Sequence, residues 1–289
     1  MKKRREDNNF SVRKNKRAEQ MKKKRQMGNT PVNLPQGTSE NTRMSAQDIA
    51  EQLNNLPHTV GHLQSQNQAE RYNAVVQLRK LLSIEKNPPI DAVIQAGAIA
   101  PLVVVLNNDP EPNNQFEAAW ALTNVASGTT EHTQILLRNA GAEAFISKIA
   151  DTSAHLVREQ AVWAIGNIAG DSHPCRDHLL HLGAMELLLR ETGEQVKPSL
   201  RRNVVWAISN LCRGKPAPPF EAIIPAIPVL AGLLEATDTN VITDACWALS
   251  YISDGDDDRK IAKVLEAGVC QAAVRLLNHQ TSSVQTPAL

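Results

Sequence analysis

The four tryptophans of the chain each open a near-copy of one phrase: Trp120-Ala-Leu-Thr-Asn124, Trp163-Ala-Ile-Gly-Asn167, Trp206-Ala-Ile-Ser-Asn210 and Trp247-Ala-Leu-Ser-Tyr251. An indole face holds the aliphatic stem of Lys or Arg and attracts its charge, a contact worth about 0.5–2 kcal/mol. A carboxamide offers donor and acceptor together, which suits a peptide bond of any sequence. Residues four apart share one helix face, so each phrase sets an indole beside an amide or a phenol. Acidic residues flank the row: Asp171 follows Trp163 by eight, Asp244 precedes Trp247 by three, and Asp254 follows it by seven. Such a row has the chemistry to hold an extended cationic strand. Two plainer readings stand beside it. The tryptophans can be ordinary core, and the asparagines a purely structural ladder between repeats. An amide is a poor helix-interior residue and expensive to bury without partners.

The gaps between successive tryptophans are 43, 43 and 41 residues, a period that marks an armadillo or HEAT-like helical solenoid. Each unit reads as a short helix ending at Gly, a second helix, a polar turn and a long third helix. The glycine stop recurs at Ala96-Gly97-Ala98, Ala140-Gly141-Ala142, Leu182-Gly183-Ala184 and Ala267-Gly268-Val269. Glycine there suits a helix end that needs positive φ. One unit has Ile224-Pro225 in that region instead. In the first unit Val76 takes the Trp place, on a third helix spanning Asn73–Leu82. Third helices about 8–10 Å apart make the indoles walls of a row of slots. An extended peptide, advancing about 3.3 Å per residue, drops roughly one side chain in three into a slot. The expected fold is all-α: a right-handed superhelical solenoid of about five repeats over residues 69–289. The period places the next ladder position near residue 290, so the last repeat is expected to be incomplete and to expose apolar surface.

The net charge of +1 conceals an asymmetry: residues 1–27 carry +9 and the remainder −8. A cationic arm on an anionic body invites attraction within the chain as well as outside partners. The arm favours a helix over roughly residues 13–26 by composition. Residues 28–68 read as a flexible linker followed by a leading helix, which starts at Ser45-Ala-Gln-Asp48 and carries Ile49, Leu53 and Leu56 as one stripe. The arm has three readings: a nucleic-acid tail, a signal read by another protein, or a tethered mimic of the groove's own ligand at Lys22-Lys23-Lys24-Arg25. Cys175, Cys212, Cys246 and Cys270 have no metal or redox spacing and are expected to be buried reduced thiols. His173, Cys175, His178 and His181 match no strong zinc pattern. No catalytic or phosphate-binding motif is present, and no cofactor is expected. Neither an 18-residue apolar run nor a secretory signal pattern is found.

The repeat phrases closely resemble those of the importin-alpha (karyopherin-alpha) family of armadillo-repeat nuclear import adaptors. The resemblance is carried by Gln115–Gly128, Glu159–Asp171, Asn203–Arg213 and Asp244–Gly255, and runs over nearly the whole chain. It implies a non-enzymatic adaptor that shuttles between cytoplasm and nucleus, binds Lys/Arg-rich nuclear localisation signals and contacts the nuclear pore only indirectly. Trp120, Trp163 and Trp206 would line lysine slots, and Asn124, Asn167 and Asn210 would clamp the cargo backbone. Gly128, Thr133 and Asp171 match the pocket for the critical lysine, with Asp171 as its counter-charge. Ser127, Gln160, Asn203, Asp244, Trp247, Tyr251 and Asp254 fall on other groove positions, and Arg213 on a basic position flanking the site.

Residues 2–27 resemble the latter part of the family's importin-beta-binding domain. Arg13, Lys14, Lys16, Arg17, Lys22, Lys23, Lys24 and Arg25 would bind importin-beta or, in its absence, occupy the groove. Two departures from the family pattern stand out. The arm starts within the domain, and about five repeats stand where the family has about ten. The resemblance thus implies a form truncated at both ends, lacking the second signal site and the surface for the export receptor. An armadillo scaffold for another peptide class, a nucleic-acid binder acting through the arm, and a truncated non-transporting isoform remain the alternatives. The anionic body argues against the first, and no direct contact with nucleic acid or membrane is expected.

Overall fold

The computed structural model describes residues 44–151, 154–255 and 257–289. The basic arm and the start of the linker lie outside the described residues, so the expected helix at 13–26 does too. The described residues form eighteen α-helices and no strands. They divide into two compact units that meet between Ala164 and Ile165, inside one continuous helix.

In the unit ending at Ala164, α1 (Ala46–Asn54) opens on a capping box. The Asp48 N–H donates to Ser45 Oγ at 3.1 Å, and the Ser45 N–H to Asp48 Oδ2 at 2.9 Å. Each bond satisfies an amide that the first helical turn leaves unpaired. The expected stripe is split, because α1 ends at Asn54, two residues before Leu56. Leu56 opens a second helix, α2 (Leu56–His62), with Pro57 in its first turn, where a missing N–H is harmless. The third helix of the first repeat, α3 (Gln68–Leu82), begins five residues before the expected Asn73, because the Asn67 side chain caps the Ala69 N–H at 3.0 Å. Two trios follow: α4 (Ile90–Gln95), α5 (Ile99–Asn108) and α6 (Pro112–Ala126), then α7 (Thr130–Arg138), α8 (Gly141–Ala150) and α9 (His155–Asp171). Helix α6 packs against both α3 and α5, and every residue from Phe116 to Ala126 is buried. Each large apolar side chain so covered contributes about 1.5–3 kcal/mol.

The unit from Ile165 continues with three trios. These are α10 (His173–His181), α11 (Ala184–Arg190) and α12 (Pro198–Leu211); α13 (Phe220–Ile223), α14 (Ala226–Leu233) and α15 (Thr239–Ile252); and α16 (Asp258–Glu266), α17 (Val269–Leu276) and α18 (Ser282–Ala288). Its third helices pack in sequence, α12 on α15 and α15 on α18. The unit without a glycine stop has the shortest first helix, α13, which ends just before Ile224-Pro225.

Gly97, Gly183 and Gly268 take φ of +78°, +79° and +76°, as a left-handed helix stop requires. The stop at 140–141 differs: Ala140 takes the left-handed φ of +58° and Gly141 begins α8. A Cβ on Gly141 would lie 2.3 Å from Leu136 Cδ1, so close packing, not φ, requires glycine there. Of the four cysteines expected to be buried, three are, and Cys270 is exposed on α17. Cys270 lies in the last trio, where Ile261, Leu265, Val274, Leu277 and Leu289 are also exposed. No described helix is long and apolar enough to cross a membrane.

Candidate peptide-binding ladder

Helix α6 places Trp120 and Asn124 one turn apart, and both engage the preceding third helix, α3. The Arg79 guanidinium carbon lies 4.8 Å from the Trp120 ring centroid, and Arg79 Nε donates to buried Glu117 at 2.6 Å. Phe116 meets the same indole edge-on at 5.9 Å. Asn124 Nδ2 donates to Ser83 Oγ at 3.0 Å, and Ser83 Oγ donates to the Arg79 carbonyl at 2.8 Å. Ser127, half-buried at the end of α6, donates to the Asn124 carbonyl at 2.8 Å. Gly128 follows, packed so closely that a Cβ would meet His132 Nδ1 at 2.4 Å. That ring nitrogen accepts from the Thr129 N–H, while Nε2 pairs with Asp91 at 2.8 Å. Thr133 is fully buried, its hydroxyl 3.4 Å from the Ala126 and Thr129 carbonyls. On α9, Gln160 is buried and Trp163 is half-buried.

In the second unit the relation of amide to backbone is clearer. Asn210 Nδ2 donates to the Gly166 carbonyl at 2.9 Å, and Arg213 Nη2 donates to the Gly170 carbonyl, one turn further along α9, at 2.6 Å. A Cβ on Gly166 would stand 2.4 Å from the Trp206 ring, so the indole lies directly on the α9 backbone. Asn167 is buried and Asp171, the last residue of α9, is half-buried, with Cys175 Sγ 3.9 Å from its Oδ2. Asn203 is half-buried on α12, and Asp244 is buried on α15. Trp247 and Tyr251 stack at 6.1 Å with an interplanar angle of 21°, the phenol standing where the other phrases carry an amide. Asp254 is exposed, 4.0 Å from the Lys215 ammonium.

The rings are less open than the sequence suggests. Trp120, Trp206 and Trp247 are only 8, 7 and 5% exposed, and Asn124, Asn167 and Asn210 are buried. For Trp120 and Trp206 the physical reason is packing of the indole on the third helix before it, against Arg79 and Gly166 respectively. The amides of Asn124 and Asn210 tie their helices to the preceding repeat, as the structural-ladder reading anticipates. One N–H carries the tie, and a carboxamide has a second N–H and an acceptor oxygen besides. The accessible surface therefore comes from half-buried Ser127, Gly128 and Trp163 in the unit ending at Ala164, and from half-buried Asp171, Asn203, Arg213 and Tyr251 and exposed Asp254 in the unit from Ile165.

Sequence reasoning missed the partners that seat the row, Arg79, Glu117, Ser83, Gly166 and Gly170, and also missed buried Arg176, whose Nη1 donates to the Arg213 and Pro216 carbonyls. A signal existed for two of them, since Gly166 and Gly170 are consecutive same-face glycines inside a long helix, where close approach of another side chain is the usual reason. Burial pushes the Cys212 thiol, at the end of α12, up to about 12, with the nearby Arg176 charge pulling the other way. Among the described residues no group of three or more His, Cys, Asp or Glu side chains converges to hold a metal, the His173–His181 segment included.

Comparison with known proteins agrees with this architecture. The Armadillo/beta-catenin-like repeat pattern matches residues 86–127, 172–213 and 217–254, and the HEAT-like repeat pattern residues 112–168. The pattern described as Importin beta binding domain matches residues 1–76. A designed armadillo repeat protein in complex with the peptide (KR)4 superposes with a TM-score of 0.74 at 31% identity, covering 81% of this chain and 96% of that one. The chain is 47% identical over 287 residues to importin subunit alpha-4 of Arabidopsis thaliana, covering 99% of its own length and 53% of the relative's. To importin subunit alpha-B of Dictyostelium discoideum it is 46% identical over 290 residues, covering 99% and 54%. It thus spans about half the length of the curated relatives it matches. Near-half identity sustained from the arm through the last repeat, on a fold shared with solved armadillo proteins, places the chain in the importin-alpha family.

Proposed function

We propose that this protein is a nuclear import adaptor, not an enzyme, that binds Lys/Arg-rich nuclear localisation signals along its Trp/Asn row. The observation that carries this reading is the recurrence of indole and polar partner on successive third helices, with Asp171 half-buried beside the row. Cationic side chains enter between the indole edges, and the peptide backbone bonds to the amide groups that the inter-repeat ties leave over. Asp171 balances an inserted lysine. Tyr251 and Trp247 extend the row, and Asp244 and Asp254 lend it negative charge.

The basic arm joins cargo to importin-beta. When importin-beta is absent, Lys22–Arg25 compete for the row at high effective concentration. The adaptor shuttles between cytoplasm and nucleus, meets the nuclear pore through importin-beta, and makes no direct contact with nucleic acid or membrane. Titrating a lysine-rich signal peptide while following tryptophan emission tests this. A saturable change, enhanced by added importin-beta, supports it; emission indifferent to the peptide with importin-beta present refutes it.

A further inference from the structure

The capping box that opens α7 pairs Thr129 with His132, an imidazole where glutamate or glutamine is the usual partner. The Thr129 N–H donates to His132 Nδ1 at 3.1 Å, and the His132 N–H donates back to Thr129 Oγ1 at 3.3 Å. Because Nδ1 accepts, the ring proton is on Nε2, which donates to Asp91 Oδ1 of α4 at 2.8 Å. The neutral ring is thus held at both nitrogens. It stands so close over Gly128 that a Cβ there would collide with it. The turn joining α6 to α7 carries Ser127 and Gly128, two of the half-buried residues of the row, so the ring sets where they stand.

A carboxamide oxygen accepts whatever the pH, whereas an imidazole nitrogen accepts only while unprotonated. A proton on Nδ1 would set two donors, that N–H and the Thr129 N–H, against each other. The Nε2 bond to Asp91 survives and becomes one between opposite charges. The ring then stays with α4 and gives up the turn. The Asp91 side chain is 82% exposed, so solvent reaches the pair. The other charged groups on the helices packed here are few. Glu131 and Arg138 of α7 pair with each other at 3.5 Å, Glu117 of α6 is taken by Arg79, and α8 carries Glu143 and Lys148. Among the described residues none of these bonds to the ring.

We infer that His132 is a positioning residue for the row: unprotonated, it holds the turn at residues 127–129 in the form a peptide meets; protonated, it releases that turn while staying on Asp91. The effect on recognition rests on the peptide-binding reading above. The hold on the turn does not.

The test compares the full chain at pH 8 and pH 5.5 with His132→Gln, which keeps an acceptor that does not titrate, and with His132→Ala, which has none. Hydrogen exchange of the Thr129 amide, corrected for the intrinsic rate at each pH, reads the hold directly. Affinity for an alternating Lys-Arg octapeptide, blocked at both ends so that its charge stays constant, reads the consequence. In the unaltered chain, protection of Thr129 is expected to fall about fivefold between pH 8 and pH 5.5, the size of one lost helix cap. His132→Gln is expected to keep that protection at both pH values, and His132→Ala to lack it at both. Peptide affinity is expected to fall further on acidification in the unaltered chain than in His132→Gln, by up to about the same factor, because only molecules with the turn held bind well. Thr129 protection unchanged at pH 5.5, or lost equally in His132→Gln, overturns the titrating hold. Full protection in His132→Ala overturns the positioning role. Equal acid dependence of affinity in the unaltered chain and His132→Gln overturns the effect on recognition. No binding of the peptide at pH 8 overturns the peptide reading, while amide exchange still decides the hold.

Discussion

Asn210 donates its amide to the carbonyl of Gly166, 44 residues earlier in the chain, at 2.9 Å, while the Trp206 ring covers the same glycine. One turn of α12 is thus keyed to one turn of α9 by an indole and a carboxamide together. The residues expected to read a peptide are also the residues that join repeats. On the proposed peptide-binding reading, recognition and stability are coupled at this ladder.

The coupling makes Gly166 a sensitive position. Gly166→Ala puts a methyl 2.4 Å from the ring, and over-packing of this kind costs about 1–3 kcal/mol. The expected outcome is a lower denaturation midpoint together with altered Trp206 emission. A fully stable variant with unchanged emission would show that the ring does not rest on α9.

Asn210→Ala removes the tie and leaves the Gly166 carbonyl to find another partner. A net loss of about 1 kcal/mol is expected in urea unfolding, together with weaker binding of a lysine-rich peptide. Weaker binding at undiminished stability would mean the amide serves the peptide alone.

Acid sensitivity should centre on the ordered carboxylates. Burial pushes Asp109 up, but hydrogen bonds from Arg71 at 2.8 Å, Asn114 at 3.0 Å and the Glu111 N–H at 3.0 Å outweigh it and hold the carboxyl below its ordinary 3.8. A depressed folded value means stability that is present above pH 3.8 and lost as pH falls through the folded value. Asp109→Asn is expected to lower stability at neutral pH and to flatten the acid limb of a stability–pH curve.

The thiols give the opposite limb. Burial pushes Cys212 and Cys246 up to about 12 from 9.0. A raised folded value stabilises fully below the unfolded value and is lost as pH climbs from 9 toward 12. At pH 8, alkylation of the native chain is expected to mark Cys270 alone, with all four cysteines reacting after denaturation. Rapid native labelling of Cys246 would contradict the packing of α15.

Much of this architecture was legible because the solenoid repeats its signals. The Trp period, the polar turns and most glycine stops fall where the helices change. Ala140 escaped because close packing against Leu136 claims the neighbouring glycine, a contact invisible to local sequence. The burial of the indoles was misjudged for a related reason: helix periodicity says which face a residue shares, but not how near the next helix comes. Arg176 was illegible because its partners are backbone carbonyls about 40 residues away, which carry no residue type to read. Residue spacing suggested which side chains form the candidate site, and tertiary packing decides how far each is open.

The most direct measurement of the central claim is calorimetric titration with an alternating Lys-Arg octapeptide and its Asp-Glu counterpart. It should be run on residues 1–289, on residues 45–289 and on Asp171→Lys. The expected result is saturable binding of the cationic peptide alone, tighter in the shorter chain and abolished by Asp171→Lys. Preference for the acidic peptide, or cationic binding indifferent to Asp171→Lys, would contradict the account.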